Sequence, residues 1–188
     1  MRVFILLGHP DAASFNARIA NAYETAAMAA GHEVRRQDVG ALAFDPVLRA
    51  GYVDLPPLEP DLVAAQEALA WCDRFVLIYP MWWGGMPALL KGWIDRVLLP
   101  GFAFRYHEGD PWWDRFLTGK TAHIISTSDC PALYARFWYR DADFTMLKRA
   151  ILGFCGIKTV KTRRIGRVKY LDAALREKLV ADIARLAV

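Results

Sequence analysis

Arg2-Val3-Phe4-Ile5-Leu6-Leu7-Gly8-His9-Pro10-Asp11-Ala12-Ala13-Ser14-Phe15-Asn16 is the stretch that decides the fold. Val3 to Leu7 are apolar without alternation, which reads as a strand buried on both faces. Helical spacing follows through Phe15, Ile19, Ala22, Tyr23, Ala26, Ala27 and Ala30, and Gly31 closes the helix as a C-cap. A strand, a short polar loop and a helix in that order are the unit of an α/β sheet.

The unit recurs downstream. Glu33 to Val39 reads as a more polar strand near an edge, and Phe44 to Pro60 as a long Pro- and Gly-containing loop. Asp61 to Cys72 reads as a helix with Asp61 as N-cap. Phe75-Val76-Leu77-Ile78-Tyr79 is a second fully apolar strand, followed by a helix from Pro87 through Leu98. After a loop from Phe102 to about Lys120, Ala122 to Ser126 is a strand and Phe144 to Cys155 a helix stopped by Gly156. Ile157 to Ile165 is the last strand and Leu171 to Leu186 the last helix. Five strands alternating with five helices predict a doubly wound parallel sheet with helices on both faces, in one domain spanning 1–188.

Composition narrows the function. The 188 residues are 55% hydrophobic and 23% charged, which excludes a disordered tail or a disulfide-stapled miniprotein. Seven Trp, seven Tyr and ten Phe exceed what a plain core needs, so a flat ligand is expected. The net charge of +4 gains local weight at Lys158, Lys161, Arg163, Arg164, Arg167 and Lys169. That run is a solvated basic face or a patch for an anionic partner, and no nucleic-acid binding is expected from it. Cys72, Cys130 and Cys155 are dispersed, which fits a reducing cytoplasmic location with no metal site. Cys72 and Cys155 read as core residues. The longest uncharged run, Phe75 to Leu90, falls short of the roughly 20 residues of a membrane span, and the first apolar run is too short for a secretory signal.

In an open α/β sheet the ligand lies outside the carboxyl ends of the strands. Three segments stand there. His9 to Asn16 lacks a dinucleotide fingerprint and a Walker lysine, yet ends in Ser14 and Asn16 at a helix mouth, which suits a phosphate; plain N-capping is the alternative. Pro80-Met81-Trp82-Trp83 puts two indoles at a strand's end, as a wall for a flat heterocycle or as a packing or dimer contact. Ser126-Thr127-Ser128-Asp129 offers donors for a ring's polar edge, or simply a turn.

Pro80-Met81-Trp82-Trp83-Gly84-Gly85-Met86-Pro87-Ala88-Leu89-Leu90-Lys91-Gly92-Trp93-Ile94-Asp95-Arg96-Val97 resembles the signature of the NAD(P)H:quinone oxidoreductase family, as does His9 with Ser14-Phe15-Asn16. The resemblance covers nearly the whole chain. It implies a flavodoxin-like sheet of order 2-1-3-4-5, a bound flavin (FAD, with FMN as alternative), NAD(P)H as co-substrate and a homodimer with its active site at the interface. By position it implies His9, Ser14, Phe15 and Asn16 on the diphosphate and ribityl side, and Pro80, Met81, Trp82 and Trp83 along the isoalloxazine. Ser126, Thr127, Ser128 and Asp129 would hold the pyrimidine edge. Tyr134 matches a family tyrosine beside the flavin and is the catalytic candidate, while Phe104 and Tyr106 match aromatics that close over the partner's site.

Two positions depart from the family. Ser128-Asp129 replaces a frequent Gly-Gly pair, and a carboxylate there is unfavourable unless Asp129 turns away or caps the following turn. Arg140 stands where vertebrate members place a histidine, and a fixed charge cannot relay protons. The resemblance therefore implies ping-pong reduction of a quinone or similar flat acceptor. The rival readings are an ancillary subunit of a membrane transporter, docking through Lys158–Lys169, and a flavodoxin-type electron carrier, which the basic charge disfavours.

Overall fold

The computed structural model describes residues 1–188. Five parallel strands form the central sheet: β1 (Arg2–Leu7), β2 (Glu33–Asp38), β3 (Arg74–Pro80), β6 (Thr121–Thr127) and β7 (Lys158–Ile165), side by side as β2-β1-β3-β6-β7. Counted within the sheet, that is the expected order 2-1-3-4-5. Sequential alternation sorts the strand side chains onto two cores. Phe4, Leu6, Phe75, Leu77 and Ile124 face α2 (Pro60–Trp71) and α3 (Ala88–Val97). Val3, Ile5, Leu7, Val76, Ile78 and Ile125 face α1 (Phe15–Ala29) and α7 (Ala173–Ala184). Cys72 and Cys155 are buried in the first core, and burial pushes their thiols up to about 11 and about 12.

The boundary signals behave as their chemistry requires in most places. Gly31, just past α1, has φ 78, the left-handed geometry of a helix-terminating glycine. The expected cap at Asp61 is a correction: Glu59 occupies the N-cap of α2, Pro60 the first turn, and the Asp61 carboxylate accepts instead from the Ala43 amide. Pro60 fixes the helical φ and starts the helix two residues earlier than an Asp61 cap would have done. The long loop before α2 is tied down by Arg96, whose buried guanidinium pairs with Glu59 at 2.7 Å and donates to the Asp45 carbonyl.

Two regions differ from the sequence reading. The Phe102–Lys120 loop carries an antiparallel ribbon, β4 (Phe104–Tyr106) with β5 (Trp113–Arg115). The helix expected at Phe144–Cys155 is a composite of α5 (Ala142–Thr145), a π-helical stretch Met146–Ile151 and α6 (Leu152–Cys155), preceded by the short α4 (Ala132–Phe137). Three-residue strands and one-turn helices carry too few residues to display a period. No helix is long and apolar enough to cross a membrane.

Candidate functional site

The ends of β1, β3 and β6 open onto a cleft of about 200 Å³. Its lining comprises His9, Ser14, Phe15, Asn16, Pro80, Met81, Trp82, Thr127, Ser128 and Asp129, together with Val168. The three segments, far apart in the chain, thus converge on one place, because parallel pairing in register aligns the ends of neighbouring strands.

On the α1 side, the Ser14 side chain accepts from the Ala17 amide at 3.2 Å, so the expected N-cap is made. The amides of the first helical turn, Phe15 and Asn16, have no intrahelical acceptor and stand at the positive end of α1. Asn16 is buried, and its amide nitrogen donates to Thr127 Oγ1 at 2.9 Å, bracing the first segment against the third. Nδ1 of His9 accepts from the Asp11 amide at 2.9 Å. Desolvation lowers the His9 pKa, so the ring is neutral with its proton on Nε2, a donor at the rim of the cleft.

Opposite it, Trp82 packs edge-on to His9 at 5.7 Å and leaves 45% of its surface exposed. Trp83 does not join it. Trp82 and Gly85 exchange backbone hydrogen bonds at 2.9 Å across a tight turn, with Trp83 at φ 53 and Gly84 at φ 75. The turn throws the Trp83 indole wholly into solvent, away from the cleft lining. Adjacent indoles at a strand's end diverge as soon as the chain turns.

In the third segment the hydroxyls are engaged within the protein. Ser126 is fully buried beneath the cleft and accepts from Arg164, Thr127 pairs with Asn16, and Ser128 donates to the Cys130 carbonyl at 3.0 Å. Asp129 accepts from the Lys169 amide at 3.0 Å, so its carboxylate is engaged by the turn after β7 and not by the turn that follows Asp129 itself.

Tyr134, Phe104 and Tyr106 stand outside this cleft. Tyr134 lies on α4, 44% exposed, against Trp138 and Tyr139; partial desolvation and then the Tyr139 hydroxyl raise its pKa, so its phenol stays protonated through neutral pH. Phe104 and Tyr106 line a separate, largely apolar cavity of about 510 Å³, shared with Tyr52, Ile94, Ile151 and Phe154 and edged by the Lys91–Asp95 ion pair. Sequence reasoning missed Val168, a cleft residue just after β7, and Arg164 beneath it, which it counted within a basic run; a basic run on a strand hides whichever member faces inward.

A doubly wound sheet with hydrogen-bond donors, an aromatic face and a helix mouth meeting at the strand carboxyl ends defines an α/β protein of the flavodoxin type. The chain belongs to the flavodoxin-like fold family, whose model matches residues 1–187. It is 28% identical over 190 residues to NAD(P)H dehydrogenase [quinone] 1 of Rattus norvegicus, covering 87% of this chain and 68% of the rat protein. Smu.1420 from Streptococcus mutans superposes with a TM-score of 0.85 at 32% identity, over 100% of this chain and 98% of the other. NAD(P)H:quinone oxidoreductase from Methanothermobacter marburgensis superposes with a TM-score of 0.81 at 25% identity, over 100% and 97%.

Proposed function

We propose that the chain is a flavin-dependent NAD(P)H oxidoreductase that delivers electrons to a quinone or similar flat acceptor. The observation that carries this reading is the convergence of ten expected contact residues on one cleft. The donor set fits a flavin: free first-turn amides at a positive helix end suit a phosphate, and the exposed Trp82 indole offers a flat face to a ring. A bound flavin would supply hydride-transfer chemistry between the nicotinamide and the acceptor.

The chain's own residues bind, orient and hold protons. Asn16 and Thr127 brace the two sides of the cleft, and the neutral His9 offers Nε2–H to an oxygen of the cofactor. Tyr134, protonated at neutral pH, lies outside the cleft lining, and its candidacy as hydrogen-bond donor to the reacting ring rests on the family resemblance. Arg140 contributes a fixed charge and no proton, so a proton needed by the acceptor comes from water or from Tyr134. Phe104 and Tyr106 line the other cavity, so in this reading they reach the acceptor slot of a second copy, in a homodimer. We take the flavin to be FAD, on the His9 and Ser14-Phe15-Asn16 pattern, with FMN the alternative, and the location to be cytoplasmic. The oxidoreductase names of the relatives favour the enzyme over an ancillary subunit or an electron carrier.

The visible spectrum of the purified protein is the first test. Absorption bands of an oxidised flavin, with FAD or FMN identified by mass spectrometry after release, are expected, followed by quinone-dependent oxidation of NADH or NADPH. A colourless protein that takes up neither flavin on incubation defeats the reading.

A further inference from the structure

Beneath the cleft lies a buried ion-pair network. The side chain of Arg164, on β7, is 5% exposed, and that of Asp143, in α5, 1%. One terminal guanidinium nitrogen donates to Asp143 Oδ1 at 2.6 Å and to Asp141 Oδ1 at 3.2 Å. The other meets Met81 Sδ at 3.2 Å and Ser126 Oγ at 3.3 Å. Tyr79 donates its hydroxyl to Asp143 Oδ2 at 2.7 Å. Met81 lines the cleft, so one arm of Arg164 holds a cleft residue from behind.

The other arm reaches a strained turn. Arg140 and Asp141 follow one another at φ 51 and φ 47, a conformation that crowds the Cβ of an L-residue. Such geometry persists where surroundings over-determine it. Here the Asp141 amide donates to the Ala135 carbonyl at 3.0 Å while its carboxylate takes the Arg164 hydrogen bond. The turn ends the segment carrying Tyr134 and Tyr139, whose rings pack edge-to-face at 5.3 Å.

We propose that Arg164 is a positioning residue of the cofactor cleft: its two terminal nitrogens fix Met81 on one side and the Arg140–Asp141 turn on the other. In naming the ligand, the proposal rests on the flavin reading. Stability alone is a poor reason for this arrangement, since buried ion pairs are commonly replaceable by apolar residues of similar volume without loss. A planar guanidinium with several donors in fixed directions can set two elements at once, which the single ammonium of lysine cannot.

Arg164→Met alone strands the Asp143 carboxylate and is expected to fold poorly, so the informative variant is Arg164→Met with Asp143→Leu, which removes both charges. It is expected to unfold cooperatively near the wild-type temperature, to bind flavin at least about tenfold more weakly, and to shift the bound flavin's visible bands. In the flavin-free protein, amide exchange over residues 138–145 should accelerate selectively. Arg164→Lys should recover folding without restoring the affinity or the exchange pattern. Should the double variant fail to fold, Asp141→Asn, at a partly exposed position, keeps the test open through the same exchange readout. Wild-type flavin affinity with wild-type exchange in the turn overturns the proposal. Wild-type protein that binds no flavin defeats the flavin reading instead, and the exchange measurement still decides the role of Arg164 in the turn.

Discussion

At the scale of single residues, Trp82 and Trp83 show how neighbours in a motif part company. Trp82 stays at the cleft against His9, while Trp83 sits at φ 53 on a turn tip with its indole in solvent. Trp82→Ala removes the flat face and should weaken flavin binding roughly tenfold, about 1.4 kcal/mol, in a fluorescence titration. Trp83→Gly should leave that affinity unchanged and raise unfolding stability by up to about 1 kcal/mol, because glycine adopts positive φ without a Cβ clash. A large affinity loss in Trp83→Gly would return Trp83 to the ring-contact set that the family resemblance implies. The sequence shows the indole pair; the backbone turn that separates its members depends on the Gly84-Gly85 geometry and leaves no trace in a residue count.

Among elements, the contact of α1 with β6 holds a titratable pair that the mechanism does not use. The buried Tyr23 hydroxyl shares a hydrogen bond with His123 Nδ1 at 2.9 Å. Desolvation, then the charges of Arg74 and Lys161, lower the His123 pKa to about 4. The folded protein therefore holds His123 neutral where the unfolded chain, titrating near 6.5, already takes up a proton. Stability from this site is complete above pH 6.5 and is lost as pH falls toward 4, by about 3 kcal/mol at most. Urea unfolding at pH 7, 5.5 and 4 should show the decline, and His123→Gln should flatten it. Long elements such as α1 and β3 were legible because every turn or residue pair repeats the same local signal. The β4–β5 ribbon was not, since its three-residue strands are made by pairing with each other and not by any pattern within either.

Across the whole molecule, the cleft and the cavity of about 510 Å³ are separate features of one chain. Phe104 and Tyr106 belong to the second, so their proposed role at an acceptor slot requires another copy of the chain. Tyr106→Asp, which puts a charge into that largely apolar cavity, should shift the protein toward monomer in sedimentation experiments. Flavin should remain bound while quinone turnover falls at least about tenfold. Monomeric wild-type protein with full turnover would count against the shared site.

The sequence by itself determined the parallel sheet, its winding and the place of the cleft. Apolar runs, a serine cap and segment order are local properties, and strand order then puts the carboxyl ends together. Tertiary structure alone decided that Arg164, one member of a basic run, is buried between Asp141 and Asp143 and braces Met81. It alone decided that Arg140 and Asp141 are held left-handed, and that Trp83 leaves the site. These are contacts between residues tens of positions apart, or strains that such contacts sustain. Their energies arise when the elements pack, so no window of sequence contains them.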